Sequence, residues 1–260
     1  MNEQSLSDAF MRLVKIMDEL REGCPWDRRQ TIQTLRSLTI EELYELTDAV
    51  LAENWVGIKE ELGDLFLHLL FYARIAREQG KFNLEEVLTG ISEKLISRHP
   101  HIYGTVKVND EEDVKRNWEN LKLKEGKKSV LGGVPASLPA VVKAIRLQEK
   151  SRQVGFEWND SSEVWEKVEE ETLELKEAVE SGDIRHIEEE FGDLMFSLIN
   201  YARFLHIDAE TALERTNRKF IDRFTKMEQT IVLSGRQMTD LSLEELDAIW
   251  NAVKKQNRYD

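Results

Sequence analysis

Between residues 6 and 21, Phe10, Leu13, Val14, Met17 and Leu20 recur every three or four positions, predicting a helix that stops at Gly23-Cys24-Pro25. Residues 141–152 repeat the pattern and stop near Gly155. Each is followed by an aromatic stretch, Cys24-Pro25-Trp26-Asp27 in one half and Phe156-Glu157-Trp158-Asn159 in the other, whose tryptophans suit packing beside a helix start. Two helix pairs come next, over 39–51 with 58–77 and over 162–180 with 184–205. Asn54-Trp55 and Ser181-Gly182-Asp183 form the turns between them. Such short connections make the members of each pair antiparallel neighbours. The second member is almost continuously apolar, as in Leu65-Phe66-Leu67 and Leu69-Leu70-Phe71, and is expected to be the central helix of its domain. No stretch reads as a strand, so the expected fold class is all-α.

The two halves carry one acidic pattern. Glu41, Glu42 and Glu45 are followed by Glu60, Glu61 and Asp64; Glu170, Glu171 and Glu174 are followed by Glu189, Glu190 and Asp193. Every member of the second set lies 129 positions after its partner, as Glu170 stands to Glu41. The match continues without a gap through Leu65, Leu69, Tyr72, Ala73 and Arg74 against Leu194, Leu198, Tyr201, Ala202 and Arg203. This is a duplicated domain. With some drift in spacing, Lys94 and Arg98 recur as Lys219 and Arg223, four apart on one helical face, and each half ends in a helical tryptophan, Trp118 or Trp250. Gly132-Gly133, Pro135 and Pro139 mark a linker, and its glycines lack the Gly-Lys-Ser/Thr ending of a P-loop. The expected division is a helical-bundle domain over 1–125, a linker over 126–140 and a second such domain over 141–260.

Composition narrows the function. A length of 260 residues suits two modest domains, and 33% charged residues with only 4 prolines suit a folded helical chain. The net charge of −14 repels a phosphate backbone and no basic face offsets it, which argues against a nucleic-acid partner, although divalent cations reverse that logic for a single nucleotide. Cys24 is the one cysteine, no apolar run has the length of a membrane span, and the first ten residues do not resemble a signal peptide. A cytoplasmic protein is expected.

The acids supply the candidate chemistry. Glu171 and Glu174 share a helix face, as do Glu190 and Asp193 on the partner helix, so two facing helices bring four carboxylates to one seam. Like charges so placed repel and are costly to desolvate, which calls for a cation between them. Oxygen-only ligands favour Mg²⁺ or Mn²⁺, and Mg²⁺ is usually completed by waters and substrate phosphates. A solvated acidic face would explain one such motif. It does not explain a six-acid set that recurs with unchanged spacing where the helix turns apolar. A di-iron bundle would need Glu-x-x-His, and none of His68, His99, His101, His186 or His206 has a glutamate three residues earlier.

Glu-Glu-x-x-Glu, a helical return to Glu-Glu-x-x-Asp, a downstream Lys-x-x-x-Arg and a late tryptophan together resemble the MazG-type nucleoside triphosphate pyrophosphohydrolases. Gly23-Cys24-Pro25-Trp26-Asp27, Arg98-His99-Pro100-His101 and the tandem arrangement extend the resemblance over nearly the whole chain. The resemblance implies an all-α, homodimeric, Mg²⁺-dependent hydrolase that cleaves nucleoside triphosphates, ATP among them, between the α and β phosphates, for nucleotide-pool control. It places magnesium ligands at Glu171, Glu174, Glu190 and Asp193, and nucleotide contacts at Lys167, Glu170, Glu189, Lys219, Arg223 and Trp250. Lys219 and Arg223 can balance charge on departing pyrophosphate, and Trp250 can stack on a base without selecting it. Both cations also fit as plain surface charges and Trp250 as core. The general base is left open between Glu170 and Glu174, and Glu171 completes the catalytic set. A non-catalytic helical regulator binding nucleotide and metal is the alternative.

The first half keeps Glu42, Glu45, Glu61 and Asp64 as candidate metal ligands, but has Leu38 where the second has Lys167 and Phe71 where the second has Asn200. It thus lacks one phosphate partner and one amide able to read a base. The second half is expected to be the main catalyst.

Overall fold

The computed structural model describes residues 2–108, 110, 113, 114, 117 and 129–256. Trp118 and the first residues of the expected linker, 126–128, lie outside the described residues. No strand occurs among the described residues, and the chain divides into two compact units, Met1–Asn109 and Asp110–Asp260. The fold is all-α and the helical domain occurs twice.

In the first unit, α1 (Glu3–Gly23), α2 (Ile32–Leu51), α3 (Trp55–Glu78), α4 (Leu84–Arg98) and the single turn α5 (Pro100–Tyr103) follow in order. The α2 helix starts seven residues before the expected position. Thr31 caps it by accepting the Thr34 amide while the Thr34 hydroxyl accepts the Thr31 amide, so the helix extends back over 32–38. Asn54 caps α3 through the Gly57 amide, which fixes the turn that folds α3 back along α2. Met17, Leu35, Leu70, Phe71 and Ile75 form the core, drawing on α1, α2 and α3, with Leu84 of α4 packed against it.

The second unit contains α6 (Ala140–Arg152), α7 (Ser161–Ser181), α8 (Ile184–Phe204), α9 (Ala209–Leu233) and α10 (Leu243–Gln256). Asp160 caps α7 by accepting the Ser162 and Glu163 amides, and Asp183 caps α8 through Arg185. Between them Gly182 takes a left-handed conformation, φ 72°, which reverses the chain in a two-residue connection and lays α8 antiparallel to α7. Val164, Val168 and Ala178 of α7, Ile199 of α8 and Ala144 of α6 are buried, while Met227, Ile231 and Val253 make a separate cluster between α9 and α10.

The expectation of a central second helix holds for half of α3 and needs correction for α8. The C-terminal half of α3 is interior, with His68, Leu70, Phe71, Ala73, Ile75 and Ala76 buried. On α8 only Ser197 and Ile199 are buried, and Phe191, Met195, Phe196 and Leu198 are 40 to 54% exposed. The reason is the number of partners. α7 packs along one side of α8, α6 and α9 touch it more lightly, and the rest of its apolar surface is open in the single chain.

Candidate metal and nucleotide site

The α7–α8 hairpin sets the acids. Glu171 and Glu174 lie one turn apart on α7, and the antiparallel return brings Glu190 of α8 opposite them. Each of the three offers a carboxylate oxygen, and these oxygens lie within 4.8 Å of one another. Glu171 is only 5% exposed, so a negative charge sits at the edge of the core. The carboxyl of Glu174 is held above the ordinary range by partial desolvation and by the charges of Glu171, Glu190 and Glu170, with Lys167 opposing them. Such crowding is what a divalent cation relieves.

Lys167 lies one turn before Glu171. Its Nζ is 2.7 Å from Glu171 Oε1 and 2.9 Å from Glu170 Oε1, and these two partners push its pKa well above the usual lysine value. His186 Nδ1 stands 3.4 Å from Glu190 Oε1. Asp193 follows Glu190 by one turn on α8, outside the tight group of three, and Glu189 is exposed on the same helix.

The remaining expected nucleotide contacts stand on the other helices of the unit or further along α8. Lys219 and Arg223 sit one turn apart on α9, where Lys219 is exposed and Arg223 has a buried Nε with no hydrogen-bond partner. Trp250 packs against the Met227–Ile231–Val253 cluster, with its ring centroid 5.2 Å from that of Phe220. Asn200 lies away from the acids. Its Oδ1 accepts from Arg203 at 2.7 and 3.2 Å, and Arg203 in turn pairs with Glu157.

The first unit repeats the arrangement. Glu42, Glu45 and Glu61 offer oxygens within 4.8 Å of one another. Burial, then the charges of Asp64, Glu45 and Glu41, raise the Glu42 pKa against an opposing hydrogen bond from Glu61. Partial desolvation, then Glu45, Glu42, Asp64 and Glu60, raise that of Glu61. Asp64 therefore stands close to this cluster. One turn beyond it, His68 is 7% exposed with a buried, unpartnered Nδ1, and its burial lowers its pKa despite Asp64. The spacing of four from Asp64 was the available signal for this histidine, whose counterpart in the second unit is Ser197.

A second residue escaped the sequence reading. Gln148 of α6 is 5% exposed, and its Nε2 donates to the Phe196 carbonyl at 2.8 Å while its Oε1 is buried without a partner. Its only signal was a polar residue one turn after Ala144 on the inner face of α6.

The MazG nucleotide pyrophosphohydrolase domain model matches residues 30–103 and again 160–227, the segments that contain the two acid hairpins. The chain is 47% identical over 251 residues to a nucleoside triphosphate pyrophosphohydrolase/pyrophosphatase MazG of Thermotoga maritima, covering 94% of this chain and 95% of that protein. It is 38% identical over 256 residues to a nucleoside triphosphate pyrophosphohydrolase of Escherichia coli, covering 94% and 97%. Duplicated acid hairpins, a helical fold and matches along nearly the full length agree, and the chain belongs to the MazG family.

Proposed function

We propose that the protein hydrolyses nucleoside triphosphates to nucleoside monophosphate and pyrophosphate, using Mg²⁺ held mainly by the second unit. The observation that carries this reading is the meeting of Glu171, Glu174 and Glu190 within 4.8 Å beside Lys167. Glu171, Glu174 and Glu190, with Asp193 one turn on, would hold the metal; Mn²⁺ has compatible chemistry. When bound, the metal neutralises phosphate charge and acidifies water.

The protein's own groups do the rest. Lys167 holds Glu171 and Glu170 in place and offers protons toward a phosphate oxygen. Glu174, with its raised affinity for protons, and Glu170 are the candidates to accept a proton from the attacking water. Lys219 and Arg223 on α9 supply positive charge for departing pyrophosphate, with Trp250 beside them through Phe220, and Glu189 borders the same seam. The first unit keeps Glu42, Glu45, Glu61 and Asp64 but not Lys167, and serves as a weaker metal site. The open apolar face of α8 fits a homodimer, because a second copy related by two-fold symmetry would cover it with the same residues. No described helix is long and apolar enough to cross a membrane, and a cytoplasmic enzyme acting on the nucleotide pool is the simplest reading.

Phosphorus NMR of the products tests the reaction. Monophosphate and pyrophosphate, appearing together and only with divalent metal, are expected. Diphosphate with orthophosphate would overturn the proposal, and tight nucleotide binding without turnover would favour a regulator.

A further inference from the structure

The two hairpins carry the same acids but differ at two positions beside them. In the second unit Lys167 brings a charge to the acids, with its Nζ 2.7 Å from Glu171 Oε1, and Ser197 occupies the place four after Asp193. In the first unit Leu38 brings no charge, and His68 occupies the place four after Asp64. The first unit has thus exchanged a lysine on one helix for an imidazole on the other. Without an internal counter-charge its acids crowd one another, and the carboxyls of Glu42 and Glu61 are both held above the ordinary range, by desolvation and then by their acidic neighbours.

The backbone directs His68 to those acids. Glu61, Asp64 and His68 follow at steps of three and four along α3 and share one face. Helical side chains lean toward the N-terminal end of their helix, which carries the His68 ring back over the turn of Asp64. The facing helix agrees. Glu42 and Glu45 meet Glu61, while Thr39 Oγ1 lies 3.0 Å from the Tyr72 hydroxyl, so His68, one turn before Tyr72, lies along the α2 turn from Thr39 to Glu42. The charge of Asp64 acts on the His68 ring and also on Glu42 and Glu61. The residue is 7% exposed, and its Nδ1 is buried with no hydrogen-bond partner. A buried polar atom left open is costly, and a cation bound here would satisfy the nitrogen and the acids together.

We propose that the first unit binds a divalent transition metal of the Zn²⁺ class, with a ring nitrogen of His68 as ligand beside carboxylate oxygens of Glu42, Glu61 and Asp64. The donor set decides the ion. Mg²⁺ takes oxygen ligands and keeps much of its water, whereas Zn²⁺ readily combines imidazole nitrogen with carboxylate oxygen in a four-ligand site. Asp64 and His68 stand outside the tight group of three acids, so binding draws both side chains inward. The second unit has a serine at the matching place, and its acids remain an oxygen set suited to Mg²⁺. The proposal rests on the reading of the first-unit acids as metal ligands, and it is independent of hydrolysis. The two halves then hold different ions.

The test titrates Zn²⁺ into the full chain by calorimetry, without nucleotide and in excess Mg²⁺, which keeps the oxygen set of the second unit occupied. The wild type is expected to bind a Zn²⁺ ion that Mg²⁺ does not displace. His68→Leu, which keeps the site filled with an apolar side chain, and Glu42→Gln should each weaken that binding by at least about tenfold, the cost typical of losing even an outer partner of a metal ligand. Weakening by Glu42→Gln but not by His68→Leu would overturn the proposal while leaving the acids as a metal site. Zinc binding indifferent to both substitutions, or none at all, would overturn the proposal and the first-unit metal reading together. Diffraction at the zinc edge from wild-type crystals reads the ligands without any substitution. Anomalous density bonded to a His68 ring nitrogen is expected; density on the carboxylates alone, or only at exposed histidines such as His186, would overturn the proposal.

Discussion

Replacing Lys167 by methionine keeps most of the side chain's bulk and removes its charge. In the structure that charge meets Glu171 at 2.7 Å and Glu170 at 2.9 Å, and Glu171 is almost fully buried. Breaking a fully buried pair costs about 3–5 kcal/mol. The lysine side chain is 33% exposed and Glu170 56%, so water screens part of the loss, and about 1–2 kcal/mol is a fair discount. For a unit of this size that corresponds to a fall in melting temperature of roughly 2–8 °C. The magnesium dependence is the sharper readout. Without Lys167, the repulsion among Glu171, Glu174 and Glu190 has no internal counter-charge, so added Mg²⁺ should stabilise the variant more than the wild type. Differential scanning calorimetry with and without saturating Mg²⁺ measures both effects. A variant as stable as wild type in EDTA, or a magnesium response no larger than that of the wild type, would refute the reasoning.

Three further outcomes follow from the same geometry. Glu171→Gln should abolish nearly all pyrophosphate release while Glu42→Gln retains most of it, measured at saturating Mg²⁺; the reverse ranking would make the first unit the catalyst. Glu42, Glu61 and Glu174 have carboxyl groups raised above the ordinary value, so their ionised forms are disfavoured in the folded, metal-free protein. Their contribution to stability is fully present below the unfolded carboxylate value and is lost as pH rises through the raised one; Mg²⁺ competes with these protons, and its affinity by calorimetry should weaken as pH falls through that window. Leu35→Ala removes a side chain with 0% exposure, should cost about 2–5 kcal/mol, and should lower the unfolding transition of the first unit in calorimetry.

The periodicity of apolar residues was enough to locate α1, α6 and the two acid-bearing helix pairs, because each is a long amphipathic segment; α4, α9 and α10 were signalled only by a Lys-Arg pair or a tryptophan in helical context. The main misplacement, the start of α2, came from a Thr31–Thr34 capping pair that local apolar spacing does not register. The convergence of the acids was legible because one spacing on two antiparallel helices recurs in both halves, which a chance run of glutamates does not do. Gln148 and His68 were not, since a lone polar residue on an apolar face reads the same whether its atoms are satisfied or left open. The openness of α8 was hidden for a related reason. An apolar helix looks identical in sequence whether its own chain or another covers it.

Diffraction at the manganese edge, from crystals grown with Mn²⁺ and an α,β-imido nucleoside triphosphate, tests the central claim most directly. Anomalous density bonded to oxygens of Glu171, Glu174 and Glu190 and to the phosphates is the expected result. Nucleotide bound with no anomalous peak at those carboxylates, or with the three side chains turned apart into solvent, would contradict it.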